Sequence, residues 1–232
     1  MKSRKEQVAV PNVLKAFEAE LVEAQREYVS IEAEPLDCKR TDDPLKLTQS
    51  KFLGLPFFPS GGVLQLFFPA DEWWDMGSEK VIYHSEEDLK KTPIFDFSFI
   101  DAGLYDELPV SSIHKLSFKK AIDTGCSEDS QFSIMFGTKD YWDFEDDLNE
   151  EEQKEFDEYF SSTGHKIGGY GDFTQSDPRD YRPNQKNDIQ LLQIDVDDYI
   201  MFGDSSVGHL FIRLGDLEAR KFENAWFYWD CC

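Results

Sequence analysis

The sequence predicts an α+β fold in which helices pack on a largely antiparallel sheet. Short apolar segments typical of β-strands occur along the chain, and two longer segments, residues 8–30 and 145–160, have helical periodicity. The two kinds of segment do not alternate regularly, as they would in a parallel βαβ fold. The 232 residues include 20 phenylalanines, which indicates one aromatic-rich core, so we expect a single domain over residues 1–232.

The first predicted helix covers residues 8–30. Its apolar residues recur at steps of three and four: Val10, Leu14, Phe17, Leu21, Ala24 and Tyr28. Pro11 is compatible only with a first helical turn, so the helix should begin there. We expect the apolar stripe to cover a sheet that includes residues 63–68 and 208–214. Residues 35–50 are predicted to form a connecting loop or a short edge strand.

The remaining apolar segments predict strands. Residues 63–68 are almost entirely apolar, as expected of a strand that is buried on both faces. Residues 94–100 alternate phenylalanines with Asp96 and Ser98, which is typical of a half-buried strand. The other candidates are residues 113–118, 132–136, 190–195, 198–202 and 208–214.

The second predicted helix, residues 145–160, is strongly acidic. Asn149 can cap it, and the Glu152 side chain can accept a hydrogen bond from the backbone N–H of Asn149, which is a capping box. Glu150 and Glu151 then lie in the first turn, where the helix dipole favours negative charge. Capping and solvation therefore explain the nine acids between 145 and 158, with an apolar side formed by Phe156, Tyr159 and Phe160. The alternatives are a calcium site or a partner-binding surface that contains Glu150, Glu151 and Glu152.

The charge of the chain disfavours two classes of function. With 47 acidic against 24 basic side chains, the net charge is −23 at pH 7. A nucleic-acid-binding protein needs a basic surface that displaces counterions, and an anionic membrane would repel this chain. We therefore expect neither nucleic acid nor membrane as a partner. The excess charge either confers solubility or forms a docking surface for a basic protein partner. The sequence leaves the oligomeric state open.

The sequence predicts a cytoplasmic location. Its apolar segments are much shorter than the roughly 20 residues of a membrane-spanning helix, and residues 1–6 lead into no apolar signal-peptide core. The four cysteines, at positions 38, 126, 231 and 232, form no CxxC pair, which is typical of a reducing compartment. We expect Cys231 and Cys232 to be reduced structural thiols, and Trp229 to be buried.

A glycine-rich segment after the second helix contains the best candidate for a small-ligand site. The pair Gly168-Gly169 would let a ligand approach the backbone, Lys166 could neutralise an anion, and His165 lies beside it. We expect Gln193 or Asp204 to supply a second polar group. The alternative is a glycine-rich turn that closes onto the sheet, since the segment lacks the further glycines and the Lys-Ser/Thr pair of a phosphate-binding loop.

The sequence predicts no metal, no cofactor and no catalytic residues. Several possible metal ligands follow one another late in the chain, but they do not have the order of an EF-hand loop, and the histidines lack the paired spacing of a zinc site. The set is Asp195, Asp197, Asp198, Asp204 and His209. Neither a GxSxG motif nor a Cys/His nucleophile signature occurs.

Several motifs of the chain occur in a defined order. They are residues 165–175, 191–195 and 201–204, followed by Trp-Asp-Cys-Cys at 229–232, and an earlier block contains Ser50, Lys51, Gly54, Pro56 and Pro59. This order resembles the YwqG-like family, a bacterial group described as a domain of unknown function. The resemblance implies a compact α+β fold with internal duplication and no assigned reaction. The duplicated halves would cover about residues 35–140 and 141–232. Family members insert a segment after the Pro-rich block that is absent here, so either the sheet lacks one strand or the chain descends from a gene with a deletion.

Two hypotheses for function follow. The first is a non-catalytic binding or interaction domain with an acidic surface, of which an immunity-type protein is one form. The alternative is a small-ligand-binding protein or an enzyme that uses the segment around His165 and Lys166. We favour the first hypothesis.

Overall fold

The computed structural model describes residues 7–36, 54–69, 72–92, 109–112 and 114–230. Within these ranges the strands are β1 (Arg26–Pro35), β2 (Val63–Phe67), β3 (Lys80–His84), β4 (His114–Asp123), β5 (Lys166–Gly168), β6 (Ile189–Ile194), β7 (Gly208–Ile212) and β8 (Trp226–Trp229). Six of them form one sheet in the order β4-β1-β5-β6-β7-β8, in which every neighbouring pair is antiparallel. The other two, β2 and β3, form a separate antiparallel pair.

The α-helices of the described residues are short. They are α1 (Glu18–Ala24), α2 (Tyr141–Glu145), α3 (Glu150–Tyr159) and α4 (Leu214–Glu218), and a 3₁₀ helix at Asn12–Phe17 precedes α1. Helices packed beside an antiparallel sheet confirm the predicted α+β fold. Among the described residues, no helix combines the length and the apolar character needed to cross a membrane.

The prediction of one helix over residues 8–30 is wrong in its second half. Helix α1 ends at Ala24, and β1 starts at Arg26 and pairs with β4 along its whole length. Tyr28, Val29 and Ile31 are aromatic or β-branched, and such residues favour a strand when a partner strand is available. Tertiary pairing therefore outweighs the helical spacing of Tyr28.

The apolar stripe of this first helical segment also packs elsewhere than predicted. Leu14 and Leu21 are fully buried in a core cluster that contains Phe136 and Phe156. Phe17 is half-buried, and its ring meets the Phe136 ring edge-on, with centroids 5.1 Å apart. The segment therefore packs against α3 and its neighbours, and not on a sheet that contains residues 63–68 and 208–214.

The second predicted helix is divided in two. Residues 141–145 form α2, and α3 begins after Asn149, whose side chain accepts hydrogen bonds from the N–H groups of Glu151 and Glu152. The Glu152 side chain accepts from the backbone N–H of Asn149, so the predicted capping box is confirmed. Phe156, Tyr159 and Phe160 are buried, also as predicted.

The predicted strands are confirmed in part. The segments at 63–68, 113–118, 190–195 and 208–214 correspond to β2, β4, β6 and β7. Among the described residues, the segments at 132–136 and 198–202 form isolated bridges only. These bridges join Phe136 to Lys139, Ile200 to Val110, and Phe202 to Ser206. β2 and β7 belong to different sheets, but Leu64 and Leu210 share one core cluster.

Several predictions lie outside the described residues. These are the strand at 94–100, most of the loop at 35–50, and the state of Cys231 and Cys232. Trp229 is half-buried rather than buried, and its ring packs against Trp73 with centroids 5.3 Å apart. The division into halves at 35–140 and 141–232 stays a prediction.

Candidate functional site

The glycine-rich segment lies in the middle of the large sheet. β5 pairs with β1 on one side, where Tyr28 faces Gly168, and with β6 on the other, where Lys166 faces Gln193. Gly168 and Gly169 have φ values of 72° and 75°, a left-handed conformation that favours glycine. A Cβ atom on Gly169 would lie 2.6 Å from Asp123 Oδ2. The glycine therefore admits a carboxylate of the protein itself, which takes the place predicted for a ligand.

Lys166 is only 1 % exposed, and its charge is already neutralised inside the protein. Its Nζ atom donates hydrogen bonds to Asp123 Oδ2 at 2.9 Å and to the carbonyl oxygen of Ser162 at 2.6 Å. Asp123 also accepts from Ser162 Oγ at 2.8 Å and from the backbone N–H of Tyr170 at 3.0 Å. Lys166 is therefore one half of a buried ion pair that connects the end of β4 to β5.

The imidazole of His165 is held by hydrogen bonds on both nitrogens. Nδ1 accepts a hydrogen bond from the backbone N–H of Asp195 at 2.9 Å, so the proton of the neutral ring resides on Nε2. Nε2 lies 3.2 Å from Asp197 Oδ2 and donates to it. Burial opposes ionisation of Asp197, but the N–H groups of Tyr199 and Ile200 together with His165 outweigh it and lower the pKa of Asp197. His165 thus fastens the 195–200 turn to the sheet.

Gln193 and Asp204, the predicted second polar groups, differ in their surroundings. Gln193 is fully buried, and its Nε2 donates to the carbonyl oxygens of Ser162 and Gly164, each at 3.0 Å. Its Oε1 accepts from the backbone N–H of Asp172 at 3.0 Å. Asp204 is exposed and takes no part in these hydrogen bonds. The structure therefore brings His165, Lys166 and Gln193 together as structural groups, and it leaves Asp204 outside.

A second buried charge network, which the sequence analysis missed, supports the same segment. Arg179 is 1 % exposed and donates through Nη2 to Asp177 at 2.6 Å and to Asp129 at 2.9 Å. Asp129 also accepts a 2.6 Å hydrogen bond from the backbone N–H of Gly171. Residues 176–187 are mostly polar, and nothing in their spacing distinguishes a buried arginine from a solvated one.

His209, one of the possible metal ligands that the sequence offers, lies in the core. Gln190 uses its Nε2 for the carbonyl oxygens of Gly168 and Tyr170, so its Oε1 accepts from His209 Nδ1 at 3.0 Å. The His209 ring stacks on Phe173 with centroids 4.3 Å apart. Complete burial lowers the pKa of His209 to about 3, so the imidazole is neutral at physiological pH.

The predicted partner-binding acids lie on a larger acidic surface. Between residues 140 and 158 the chain has eleven acids and one lysine, Lys154. Nine of the acids are exposed: Asp140, Asp143, Asp146, Asp147, Glu150, Glu151, Glu155, Asp157 and Glu158. Glu152 is half-buried because it completes the capping box. Trp142 is 55 % exposed within the same segment. We call this segment, residues 140–158, the acidic surface.

One group of side chains has the geometry to hold a metal ion. Among the described residues, Cys126, Glu128 and Asp172 are the one set of three or more possible ligands that come together. Burial, with the negative charge of Glu128, raises the pKa of the Cys126 thiol well above its ordinary value. Burial and then the charge of Asp195 raise the pKa of Asp172 to about 6. The sequence gives no sign of this set, because Asp172 lies more than 40 residues after Cys126 and Glu128.

Residues 45–231 match the model of a protein family described as "Domain of unknown function (DUF1963)". Among curated proteins, no sequence matches this chain.

Proposed function

The chain belongs to the DUF1963 family, and from this premise we propose that it is a non-catalytic binding domain that docks a basic protein partner on its acidic surface. Within this proposal it is a cytoplasmic protein of the YwqG-like type from a bacterium. An immunity-type protein, which acts by binding rather than by catalysis, is one form of this function. The observation that carries the proposal is the nine exposed acids between residues 140 and 158.

Helix capping does not explain all of these acids. Glu150 and Glu151 lie in the first turn of α3, where the helix dipole stabilises them. Asp157 and Glu158 lie in the last turn, which contains no basic residue, and there the dipole disfavours negative charge. Lys154 offsets Glu158 in part, at 3.8 Å, but both side chains are exposed, so the ion pair is weak. Acids that lie where the helix dipole disfavours negative charge support a role in binding rather than in stability.

Electrostatic docking also accounts for the kind of partner. Exposed carboxylates of one sign increase the association rate of a basic protein and select against acidic ones. Trp142, exposed between Asp140 and Asp143, offers a ring face to an arginine or lysine side chain. The alternative, a ligand site or an enzyme built on His165 and Lys166, has less support because Lys166 donates to Asp123 and Ser162 and His165 is fixed between Asp195 and Asp197.

A matched pair of variants tests the proposal. Asp157→Asn/Glu158→Gln removes two charges from the acidic surface, whereas Glu218→Gln/Glu223→Gln removes two exposed charges at and after α4. With a labelled lysine- and arginine-rich peptide as probe, we expect the first variant to bind roughly twofold to 30-fold more weakly than wild type. That range corresponds to two exposed ion pairs of about 0.2–1 kcal/mol each. Affinity should also fall as salt increases.

The control variant separates docking from the effect of net charge. If both variants lose the same affinity for the peptide, binding reflects only the overall charge of −23, and the proposed surface is wrong. If the proposed surface is right, the two variants should also differ when they are used as bait in cells that express the protein. The Asp157→Asn/Glu158→Gln variant should retain fewer basic proteins than the control variant. The predicted set Glu150, Glu151 and Glu152 is unsuitable for this test, because altering Glu152 would also break the cap of α3.

A further inference from the structure

Three side chains from two distant parts of the chain meet beside the glycine-rich segment. Cys126 and Glu128 follow β4, and Asp172 follows β5. Cys126 Sγ lies 3.0 Å from Glu128 Oε2 and 3.9 Å from Asp172 Oδ1. The ligand atoms of all three residues lie within 4.8 Å of one another. Their side chains therefore converge on a common point.

The surroundings of these groups supply little positive charge. Cys126 is 3 % exposed and belongs to a core cluster, and both carboxylates are half-buried. A carboxylate taken out of water needs a cation or several hydrogen-bond donors. In the described part of the chain, neither Glu128 nor Asp172 forms an ion pair, since Lys166 pairs with Asp123 and Arg179 with Asp129 and Asp177.

A third carboxylate adds to this excess of negative charge. Asp230 is 4 % exposed, and its Oδ1 atom is buried without a hydrogen-bond partner among the described residues. The negative charge of Asp230 acts on Asp172, as do those of Asp195 and Glu128, and the positive charge of Lys166 offsets them only in part. The Oδ2 atom of Asp230 accepts a 2.7 Å hydrogen bond from the backbone N–H of Gln175. A cation bound at Asp172 would lie where the charges of Asp195, Glu128 and Asp230 also act.

We propose that Cys126, Glu128 and Asp172 bind a divalent transition-metal ion, and that Zn²⁺ is the ion that their chemistry fits. A cysteine ligand selects Zn²⁺ over Mg²⁺ and Ca²⁺, which bind oxygen ligands. This site is independent of the acidic surface and of the proposed function.

The distances agree with zinc coordination. Zn–S bonds of about 2.3 Å and Zn–O bonds of about 2.0–2.2 Å at tetrahedral angles place neighbouring ligand atoms roughly 3.5 Å apart. The two sulfur–oxygen distances of 3.0 Å and 3.9 Å lie on either side of this value. Binding replaces the thiol proton of Cys126, which passes to the solvent, and the sulfur coordinates as thiolate. Three protein ligands leave the fourth position for water or another small ligand.

Cobalt substitution gives a direct readout of the cysteine ligand. The full-length protein is treated with a chelator and titrated with Co²⁺, and the thiolate-to-cobalt charge-transfer absorption is recorded before Zn²⁺ is added to displace it. We expect one ion per chain. Cys126→Ser should abolish the absorption, and Glu128→Gln and Asp172→Asn should each weaken Zn²⁺ binding by at least about tenfold. The matched controls Cys38→Ser and Cys231→Ser/Cys232→Ser should behave as wild type.

Three results would overturn the proposal. The first is wild-type protein that shows no charge-transfer absorption with Co²⁺. The second is absorption that survives in Cys126→Ser but disappears in Cys231→Ser/Cys232→Ser, which would place the ion at the tail. The third is unchanged Zn²⁺ affinity in folded Glu128→Gln. Circular dichroism checks that each variant is folded. If Cys126→Ser is unfolded, the variant of the half-buried Glu128 decides the question.

Discussion

Four donors converge on the carboxylate of Asp123. They are Nζ of Lys166, Oγ of Ser162 and the backbone N–H groups of Gly125 and Tyr170. These contacts tie the end of β4 to both ends of β5, so a single carboxylate holds the glycine-rich segment in place. A ligand-binding role would require the Lys166 side chain to be exposed, but it is buried in the core.

Replacing Lys166 should therefore destabilise the protein strongly. In Lys166→Met the Asp123 carboxylate keeps its other donors but loses its counter-charge in a buried site. We expect a loss of about 3–5 kcal/mol in the free energy of unfolding, measured with urea. Lys154→Met is the control, because Lys154 is exposed and should change stability by less than about 1 kcal/mol. Equal effects of the two substitutions would contradict a structural role for Lys166.

The burial of His209 should make the protein sensitive to acid. Burial lowers the pKa of His209 to about 3, whereas the ordinary value is 6.5, so between these values the unfolded chain binds a proton that the native protein does not. Stability from this group is fully present above pH 6.5 and is lost as the pH falls towards 3, with a limiting slope of about 1.4 kcal/mol per pH unit.

The substitution His209→Asn isolates this contribution. Asparagine does not titrate, and its amide can still donate to Gln190. Urea unfolding at several pH values should show a shallower acid loss in the variant than in wild type. The raised pKa of Asp172 has the opposite effect, because it lowers stability as the pH rises from about 4 to 6. Asp172 is present in both proteins, so its contribution cancels when the two stability curves are subtracted. Parallel curves would show that His209 is not the group responsible.

At the scale of elements, α3 shows how one sequence segment serves two purposes. Its first turn is stabilised by the Asn149 cap and by acids at the positive end of the helix dipole. Its buried side contributes Phe156 to the cluster that receives Leu14 and Leu21. Its last turn carries acids that oppose the dipole, so the exposed side of the helix is not optimised for stability.

This asymmetry predicts opposite effects at the two ends of α3. Asp157→Asn removes an unfavourable charge and should raise the free energy of unfolding by about 0.3–1 kcal/mol at low salt. Glu150→Gln removes a favourable charge and should lower it by a similar amount. Thermal unfolding of both variants at low and high salt checks the prediction, and both effects should diminish as salt screens the charges. Effects of the same sign would exclude the dipole as their cause.

At the scale of the whole molecule, the large sheet and two buried ion networks form one framework. The two networks fix the segment from β5 to Phe173. One joins Lys166 to Asp123, and the other joins Arg179 to Asp129 and Asp177. The helices α2 and α3 cover the end of this framework that contains Phe136 and Tyr170. The framework thus holds two features in defined positions. They are the acidic surface and the proposed metal site at Cys126, Glu128 and Asp172.

From the sequence we could predict the α+β class, the cap of α3, its buried phenylalanines and the later strands β6 and β7. These features depend on local spacing, on capping chemistry and on apolar runs, which a chain carries without its tertiary partners. Three other features could be seen only in the folded structure: residues 26–35 form a strand, Lys166 and His165 are structural, and Cys126, Glu128 and Asp172 meet. A strand needs its neighbour for hydrogen bonds, and the role of a charged side chain depends on the groups buried beside it, which lie far away in sequence.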